Sequence, residues 1–197
     1  MLRKHGFPVL VIAIVVMLLS FVLLAASQSQ AASAKFGCPP ETLEVRTGQS
    51  FYFTVVISDV TDLYAWQSDL SYNPDYLDYQ SAVYGDLLIL DGAAQYTQQP
   101  ERSSGALDHL AATRLGRDTG VDGSGPVLYL VFKAKKDTGT GYTSARATNP
   151  YLVDRNALEI DRGTINSGNC RVAIDDDAPV FVQPPIGEVV FLPLLLK

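Results

Sequence analysis

The stretch VTDLYAWQSDLSYNP, residues 60–74, decides how this chain folds. From Leu63 to Tyr72, large apolar or aromatic residues alternate with small or polar ones, which is the period of a half-buried β-strand. The sequence Asn-Pro-Asp at 73–75 then predicts a turn, because proline fixes φ and its neighbours bond readily to the nearby backbone. The alternation assigns Tyr64, Trp66, Leu70 and Tyr72 to one face of the strand and Ala65, Gln67, Asp69 and Ser71 to the other.

The same alternation recurs along the chain and predicts an all-β fold. One face of a strand at 50–57 carries Phe51, Phe53, Val55 and Ile57. Further strands are predicted at 76–84, 107–115, 127–135, 143–153 and 163–174, with loops at 84–105 and 117–126. The first of these loops has room for one helical turn. Short strands separated by Gly, Asn, Asp and Pro predict a β-sandwich or a barrel.

The N-terminal segment has the layout of a secretory signal peptide. Basic residues at 3–5 are followed by an apolar run at 9–26 and by the small-residue sequence ASA at 32–34. We expect cleavage before Lys35, so that residues 1–34 are removed and the protein is secreted, extracellular or held at the cell surface. The alternative is an uncleaved anchor, because an 18-residue apolar run is just long enough to span a bilayer. Membrane contact is expected only through such a segment.

Charge and cysteine content narrow the function classes. Residues 35–197 hold 13 basic and 21 acidic residues, a net charge of −8, which repels nucleic acids and anionic membranes. Nucleic acid is therefore excluded as a partner. The chain has two cysteines, Cys38 and Cys170, and an even number in an exported domain predicts a disulfide. Two separate buried thiols are the alternative.

No residue pattern indicates an enzyme or a metal site. His109 is the only histidine after residue 34, no GxSxG motif is present, and most acids lie in turn sequences. No Cys or His cluster has zinc spacing, and no EF-hand loop is present. Acids at 118–122 and 175–177 could supply oxygen ligands to calcium, although solvated acidic runs are the simpler interpretation. We expect no catalytic residue and no cofactor, with any calcium held weakly or by a partner.

The predicted domain, residues 35–174, ends before an acidic break. Residues 175–197 then form a linker with an acidic run, several prolines and the apolar end EVVFLPLLLK. This end is too short to span a bilayer as a helix. It resembles the short tails of some exported bacterial proteins, and the alternative is a last strand that packs on the sandwich.

Three blocks of the chain resemble the cohesin domain family. They are ISDVTDLYAWQSDLSYNPDYL at 57–77, ATRLGRDTGVDGSGPVLYLVFKAK at 112–135 and NPYLVDRNALEI at 149–160, in the family's order over most of residues 42–174. The resemblance implies a flattened jelly-roll β-sandwich of about nine strands, related in shape to a carbohydrate-binding module. It also implies a binding role, since cohesins bind dockerins, which are small calcium-loaded modules carried on polysaccharide-degrading enzymes.

In that family the contact face includes the outward residues of the strand before the Tyr-Asn-Pro turn. This sequence departs from the family at Ala65 and Gln67, where Asn and Asp are usual, and at Ser68, where a large apolar residue is usual. The resemblance places the partner site on this face and on the neighbouring strand and loop. The predicted partner-binding residues are Gln67, Asp69, Ser71, Arg114, Arg117 and Asp118.

These observations predict an exported, non-catalytic binding module. We expect it to dock a dockerin-type protein partner in a polysaccharide-degrading or cell-surface assembly. The alternative is a carbohydrate-binding module or a polysaccharide-associated surface protein, which needs exposed aromatic side chains. Trp66 belongs to the apolar face and is expected in the core. The tyrosines that are candidates for exposure are Tyr76, Tyr79, Tyr84 and Tyr96.

Overall fold

The computed structural model describes residues 34–39, 41–160, 166–180 and 182–186. The predicted signal peptide, apart from Ala34, and the apolar C-terminal end lie outside these residues. Residues 161–165, near the start of the last predicted strand, lie outside them too. No helix within the described ranges is long and apolar enough to cross a membrane.

The described chain folds into two β-sheets packed face to face. The back sheet has the strand order β11 (Asn166–Ser167), β1 (Lys35–Gly37), β3 (Ser50–Leu63), β9 (Val121–Ala134) and β5 (Leu77–Tyr84). The front sheet has the order β2 (Thr42–Arg46), β12 (Asn169–Asp175), β10 (Thr143–Val153), β4 (Ala65–Tyr72), β8 (Ala106–Leu115) and β6 (Ala94–Gln98), and β7 (Glu101–Ser103) also pairs with β8.

The arrangement confirms the predicted all-β jelly-roll sandwich. Most neighbouring strands are antiparallel, and the chain passes from the back sheet to the front sheet between β3 and β4. The described strands outnumber the nine expected, because short pieces such as β1, β7 and β11 pair as separate strands.

Two loop predictions need correction. β9 begins at Val121 instead of at residue 127, because β3 runs on to Leu63 and places that residue opposite Val121. The stretch 84–105 holds the expected helical turn, a 3-10 helix at Leu87–Ile89, but it also holds the strands β6 and β7.

The core lies between the sheets and is filled by residues that the alternation assigned to it. Phe132 of β9 is the centre of an aromatic cluster, and its ring centroid lies 5.1 Å from that of Tyr72 and 5.8 Å from that of Phe53. Full burial of a large apolar side chain contributes about 1.5–3 kcal/mol, so this cluster helps to hold the two sheets together. At most 3 % of the surface is exposed for Phe51, Phe53, Val55, Ile57, Trp66 and Leu70.

Part of the chain after β12 lies on the outside of the back sheet. The side-chain amide of Gln183 accepts a hydrogen bond from the Tyr52 backbone N–H (2.6 Å) and donates one to the Tyr52 carbonyl (2.7 Å). It therefore pairs with a free edge of β3 as a neighbouring strand would. The Tyr52 hydroxyl donates to the Pro184 carbonyl at 2.8 Å. Burial raises the pKa of Tyr52 and of Tyr129, whose rings meet edge to face.

The structure contains the predicted disulfide. Cys38, which follows β1, is bonded to Cys170 of β12, and their Cα atoms lie 5.0 Å apart. Because β1 belongs to the back sheet and β12 to the front sheet, the bond joins the two sheets at one edge of the sandwich.

We expect the double replacement Cys38→Ala and Cys170→Ala to lower the free energy of unfolding by about 2–5 kcal/mol. The two residues are 132 positions apart, so the unfolded chain regains the entropy of a long closed loop. Guanidinium chloride unfolding followed by the fluorescence of buried Trp66 measures the change. Reductant is the control, since it should destabilise the natural chain and leave the double variant unchanged. Equal stability of the two oxidised proteins would contradict a stabilising disulfide.

Candidate functional site

The outward side of the front sheet, called the front face, is formed by residues that point away from the core. β4 at its centre presents the four residues that the alternation predicted. Paired β-strands hold side chains at fixed spacings, so the face is a rigid platform. Its members are Ala65, Gln67, Asp69 and Ser71 from β4, Ala111 and Thr113 from β8, Tyr96 from β6, Ser144, Arg146, Thr148, Tyr151 and Val153 from β10, and Arg171 from β12.

One end of the front face is a shallow groove of about 310 Å³, called the tyrosine groove. Tyr96 and Tyr151 lie at its two sides and are 60 % and 44 % exposed. They stand on β6 and β10, which are three strand spacings, or about 14 Å, apart. The groove is lined by uncharged residues of the described chain: Ala65, Trp66, Gln67, Tyr96, Ala111, Ala112, Thr113, Tyr151 and Val153.

The carboxylate of Asp69 lies in the middle of the front face and is used by the chain itself. Its Oδ1 accepts a hydrogen bond from the His109 backbone N–H at 2.9 Å, and its Oδ2 accepts one from the Asn149 side-chain amide at 3.2 Å. His109 and Asn149 have left-handed φ values of 62° and 51°, and each sits where the pairing with β4 is irregular. A left-handed backbone costs most non-glycine residues about 1–2 kcal/mol, so Asp69 stabilises two bulges at once.

These contacts lower the pKa of Asp69. The hydrogen bond from the His109 backbone is the main cause, the amide of Asn149 adds to it, and partial burial opposes it. Asp69 therefore lies on the predicted face, but both of its oxygens already have partners within the chain. Its first role is to shape the face.

Arg114 does not lie on the front face, and its prediction as a partner-binding residue is corrected. Its side chain is fully buried, because Leu110, Ala112 and Arg114 alternate inward along β8. The guanidinium donates to the carboxylate of Asp91 at 2.7 Å and to the Leu88 carbonyl. The hydrogen bond from Arg114 is the main reason why the pKa of Asp91 is lowered. Arg114 therefore fastens the 3-10 helix to β8.

The other predicted residues fall into two groups. Gln67 and Ser71 are exposed on the front face, at either side of Asp69. Arg117 and Asp118 are exposed in the loop after β8, beyond the end of the sheet. Arg117 Nε lies 3.7 Å from Asp91 Oδ2, and the Arg117 carbonyl accepts a hydrogen bond from the Tyr64 hydroxyl at 3.0 Å.

His109 contacts one acid in the described part of the chain. His109 Nδ1 lies 3.9 Å from Glu101 Oε1, and both side chains are mostly exposed. Within the described ranges, no three His, Cys, Asp or Glu side chains are grouped so that they could hold a metal ion.

The exposure of the tyrosines differs in part from what the sequence predicted. Of the four candidates for exposure, Tyr96 is exposed, Tyr76 and Tyr84 are half-buried, and Tyr79 is 4 % exposed. Desolvation by burial raises the pKa of Tyr84 to about 12. The sequence reasoning missed Tyr151, which the bulge at Asn149 turns outward.

Comparisons with known proteins bear on the fold. A family model described as "Cohesin domain" matches residues 39–172. A comparison with curated proteins finds no match. Among solved structures, the chain is similar to a non-cellulosomal cohesin from the hyperthermophilic archaeon Archaeoglobus fulgidus, with 15 % identity, a TM-score of 0.57, and coverage of 73 % of this chain and 92 % of that one.

Two bacterial structures are similar to the same degree. The sixth cohesin from scaffoldin B of Acetivibrio cellulolyticus, solved with a Cel5 dockerin, has 16 % identity and a TM-score of 0.55 over 73 % of this chain and 100 % of that one. CaCohA2 from Clostridium acetobutylicum has 16 % identity and a TM-score of 0.57 over 75 % of this chain and 94 % of that one. At such identities the likeness concerns the fold.

We expect Asp69→Ala to lower the free energy of unfolding by about 1–3 kcal/mol at neutral pH, because two donors lose a charged acceptor. The pKa of Asp69 is lowered in the folded protein, so its contribution is present above the unfolded pKa of about 3.9. That contribution is lost as the pH falls through the lower, folded value. The stability difference between the two proteins should therefore shrink below about pH 4.

Urea unfolding at neutral pH and in acid measures both effects. Ser71→Ala is the matched control on the same strand, because the Ser71 side chain is exposed and has no hydrogen bond to a described residue. It should change the stability by less than about 0.5 kcal/mol. An Asp69→Ala protein as stable as the control would show that the bulges do not depend on this carboxylate.

Proposed function

The chain belongs to the cohesin domain family, and we propose that it is a non-catalytic binding module that docks a dockerin-type protein partner on its front face. The observation that carries the proposal is the tyrosine groove, an apolar depression at one end of that rigid face. Aromatic side chains around a desolvated centre are the usual anchors of a protein interface.

The polar residues beside the groove are placed to fix the orientation of a bound partner on the front face. Gln67 and Ser71 are exposed on the same strand, and Arg117 and Asp118 stand at the rim. Polar and charged groups at such positions set orientation and association rate more than affinity. The relative from Acetivibrio cellulolyticus, which was solved with a dockerin, supports this choice of partner. Any calcium in the complex would then belong to the partner.

We also propose that the protein acts outside the cytoplasm, as a secreted or cell-surface part of a polysaccharide-degrading or surface assembly. The disulfide between Cys38 and Cys170 supports this location, because disulfides persist in oxidising compartments. The signal-peptide layout of residues 1–34 supports it independently.

Carbohydrate binding is the second candidate function. It is favoured by Tyr96 and Tyr151, which are exposed at the two sides of the groove and could contact sugar rings. Gln67 and Thr113 in the same groove offer an amide and a hydroxyl for hydrogen bonds to a glycan. Such a site would make the protein a carbohydrate-binding module or a polysaccharide-associated surface protein.

We expect the purified protein to bind at least one member of a panel of dockerin modules, and to bind it only with calcium. Titration calorimetry with calcium and then with EDTA measures this. Gln67→Lys should weaken binding by about tenfold, because a long charged side chain would enter the centre of the contact. Gln80→Lys is the matched control, since Gln80 is exposed on β5 in the back sheet.

The outcomes separate the two candidate functions. A protein that binds no dockerin module but retains insoluble polysaccharide regardless of EDTA would replace the docking function with carbohydrate binding. Loss of dockerin binding in both lysine variants would show that the contact is not confined to the front face.

A further inference from the structure

We propose that the front face has two complementary zones, and that its partner is a protein segment that presents an apolar side chain to the tyrosine groove and carboxylates to an arginine pair. This inference rests on the proposed docking function and adds the chemistry of the partner. The arginine pair is formed by Arg146 and Arg171, which are not among the binding residues predicted from the sequence.

The arginine pair lies at the opposite end of the front face from the tyrosine groove. Arg146 of β10 faces Asn169 of β12, and Arg171 of β12 faces Ser144 of β10. The two arginines are thus diagonal neighbours on adjacent strands, with Cβ atoms about 7 Å apart. Both side chains are exposed.

Neither arginine has a counter-ion in the described part of the chain. Arg146 makes no hydrogen bond or ion pair there, and the Arg171 guanidinium lies over the Tyr142 ring at 5.0 Å. By contrast, Arg114, Arg117 and Arg155 each pair with an aspartate. Two adjacent unpaired cations repel each other, and in a chain of net charge −6 they form a local site for an anion.

The surroundings of Arg146 favour a carboxylate. A shallow depression of about 440 Å³ is lined by Arg146, Ser71, Ser144, Asn73 and other residues, so hydroxyl and amide donors surround the guanidinium. Ser71 lies directly opposite Arg146 on β4. A guanidinium fork binds a carboxylate through two parallel hydrogen bonds, and neighbouring hydroxyls can donate to the same oxygens.

One partner can reach both zones. Gln67 at the groove and Ser71 at the arginine pair are four residues apart on β4, which is about 14 Å. An apolar and an acidic side chain at that distance are about four residues apart in an extended segment and about nine in a helix. The groove of about 310 Å³ can take an apolar side chain from either form of segment.

The two zones together favour a protein over a polyanionic glycan, because a glycan has no apolar side chain to place in an uncharged groove. They also argue against the chain's own C-terminal part. Its residue Gln183 lines a depression together with Arg171, but the Gln183 side-chain amide and the Pro184 carbonyl are already hydrogen-bonded to Tyr52 of the back sheet.

The test is selection of peptides from a phage-displayed random library on the immobilised, secreted protein. The expected result is enrichment of Asp and Glu by about threefold or more, together with Leu, Ile, Met or Phe at the spacings above. The same selection on Arg146→Gln/Arg171→Gln should lose the acidic preference. Selection on Tyr151→Ala, or on Tyr96→Ala if the first variant does not fold, should lose the apolar preference.

The matched control for charge is Lys133→Gln/Lys136→Gln, which also removes two positive charges, but from outside the front face. It should select the same peptides as the natural protein. At low salt, the selected peptides should bind the arginine variant about tenfold more weakly than the natural protein. Added salt should weaken peptide binding steeply for the natural protein but not for the arginine variant.

Several outcomes overturn the inference. They are the absence of enriched peptides, peptides without acidic preference, and peptides unaffected by the arginine variant. Binding of polygalacturonate that needs both arginines but not the tyrosines would assign the pair to an anionic glycan instead.

Two further outcomes separate this inference from the proposed docking function. If dockerin modules bind the arginine variant as tightly as they bind the natural protein, the inference is wrong and the docking function is retained. If acidic peptides bind as expected but no dockerin module binds, the two-zone face is retained and the dockerin-type partner is wrong.

Discussion

The shape of the front face depends on the hydrogen bonds that the carboxylate of Asp69 accepts. This carboxylate accepts one hydrogen bond from a bulge in β8 and another from a bulge in β10, so a single side chain on the central strand fixes both neighbours. Those bulges decide which residues of the flanking strands point outward beyond them. The tyrosine groove lies on one side of Asp69 and the arginine pair on the other, and their separation is set through this contact.

The alternation of outward and inward side chains along the strands builds the front face on one side and the core on the other. On β8 it directs the charged side chain of Arg114 into the core. Its position on β8 points inward, where the guanidinium is held by Asp91 and the Leu88 carbonyl. Its Nε has no hydrogen-bond partner in the described part of the chain. A buried charge is tolerated only with such partners, so the 3-10 helix at Leu87–Ile89 and β8 depend on each other.

Period-two alternation predicted the fold because it reports the burial of regular strands. It placed both faces of β4 correctly and assigned Phe51 and Phe53 to the core. It could not place Arg114 or Tyr151, since a bulge shifts the register by one residue and turns each later side chain to the other face. The bulges depend on a contact between Asp69 and residues 40 and 80 positions away, which no local pattern contains.

The charge of the front face depends on which arginines are already paired within the chain and which are not. Most described arginines contact aspartates or backbone carbonyls of the chain itself. Residues 35–197 hold more acidic than basic residues, so the field of the molecule is acidic overall. An acidic partner would be repelled by that field at long range and attracted at short range by Arg146 and Arg171. Screening at physiological salt limits the repulsion to about 8 Å, a distance comparable to that between the two arginines. The local pair can therefore decide the orientation of an acidic segment, while the uncharged groove, which salt does not screen, decides how long the segment stays bound.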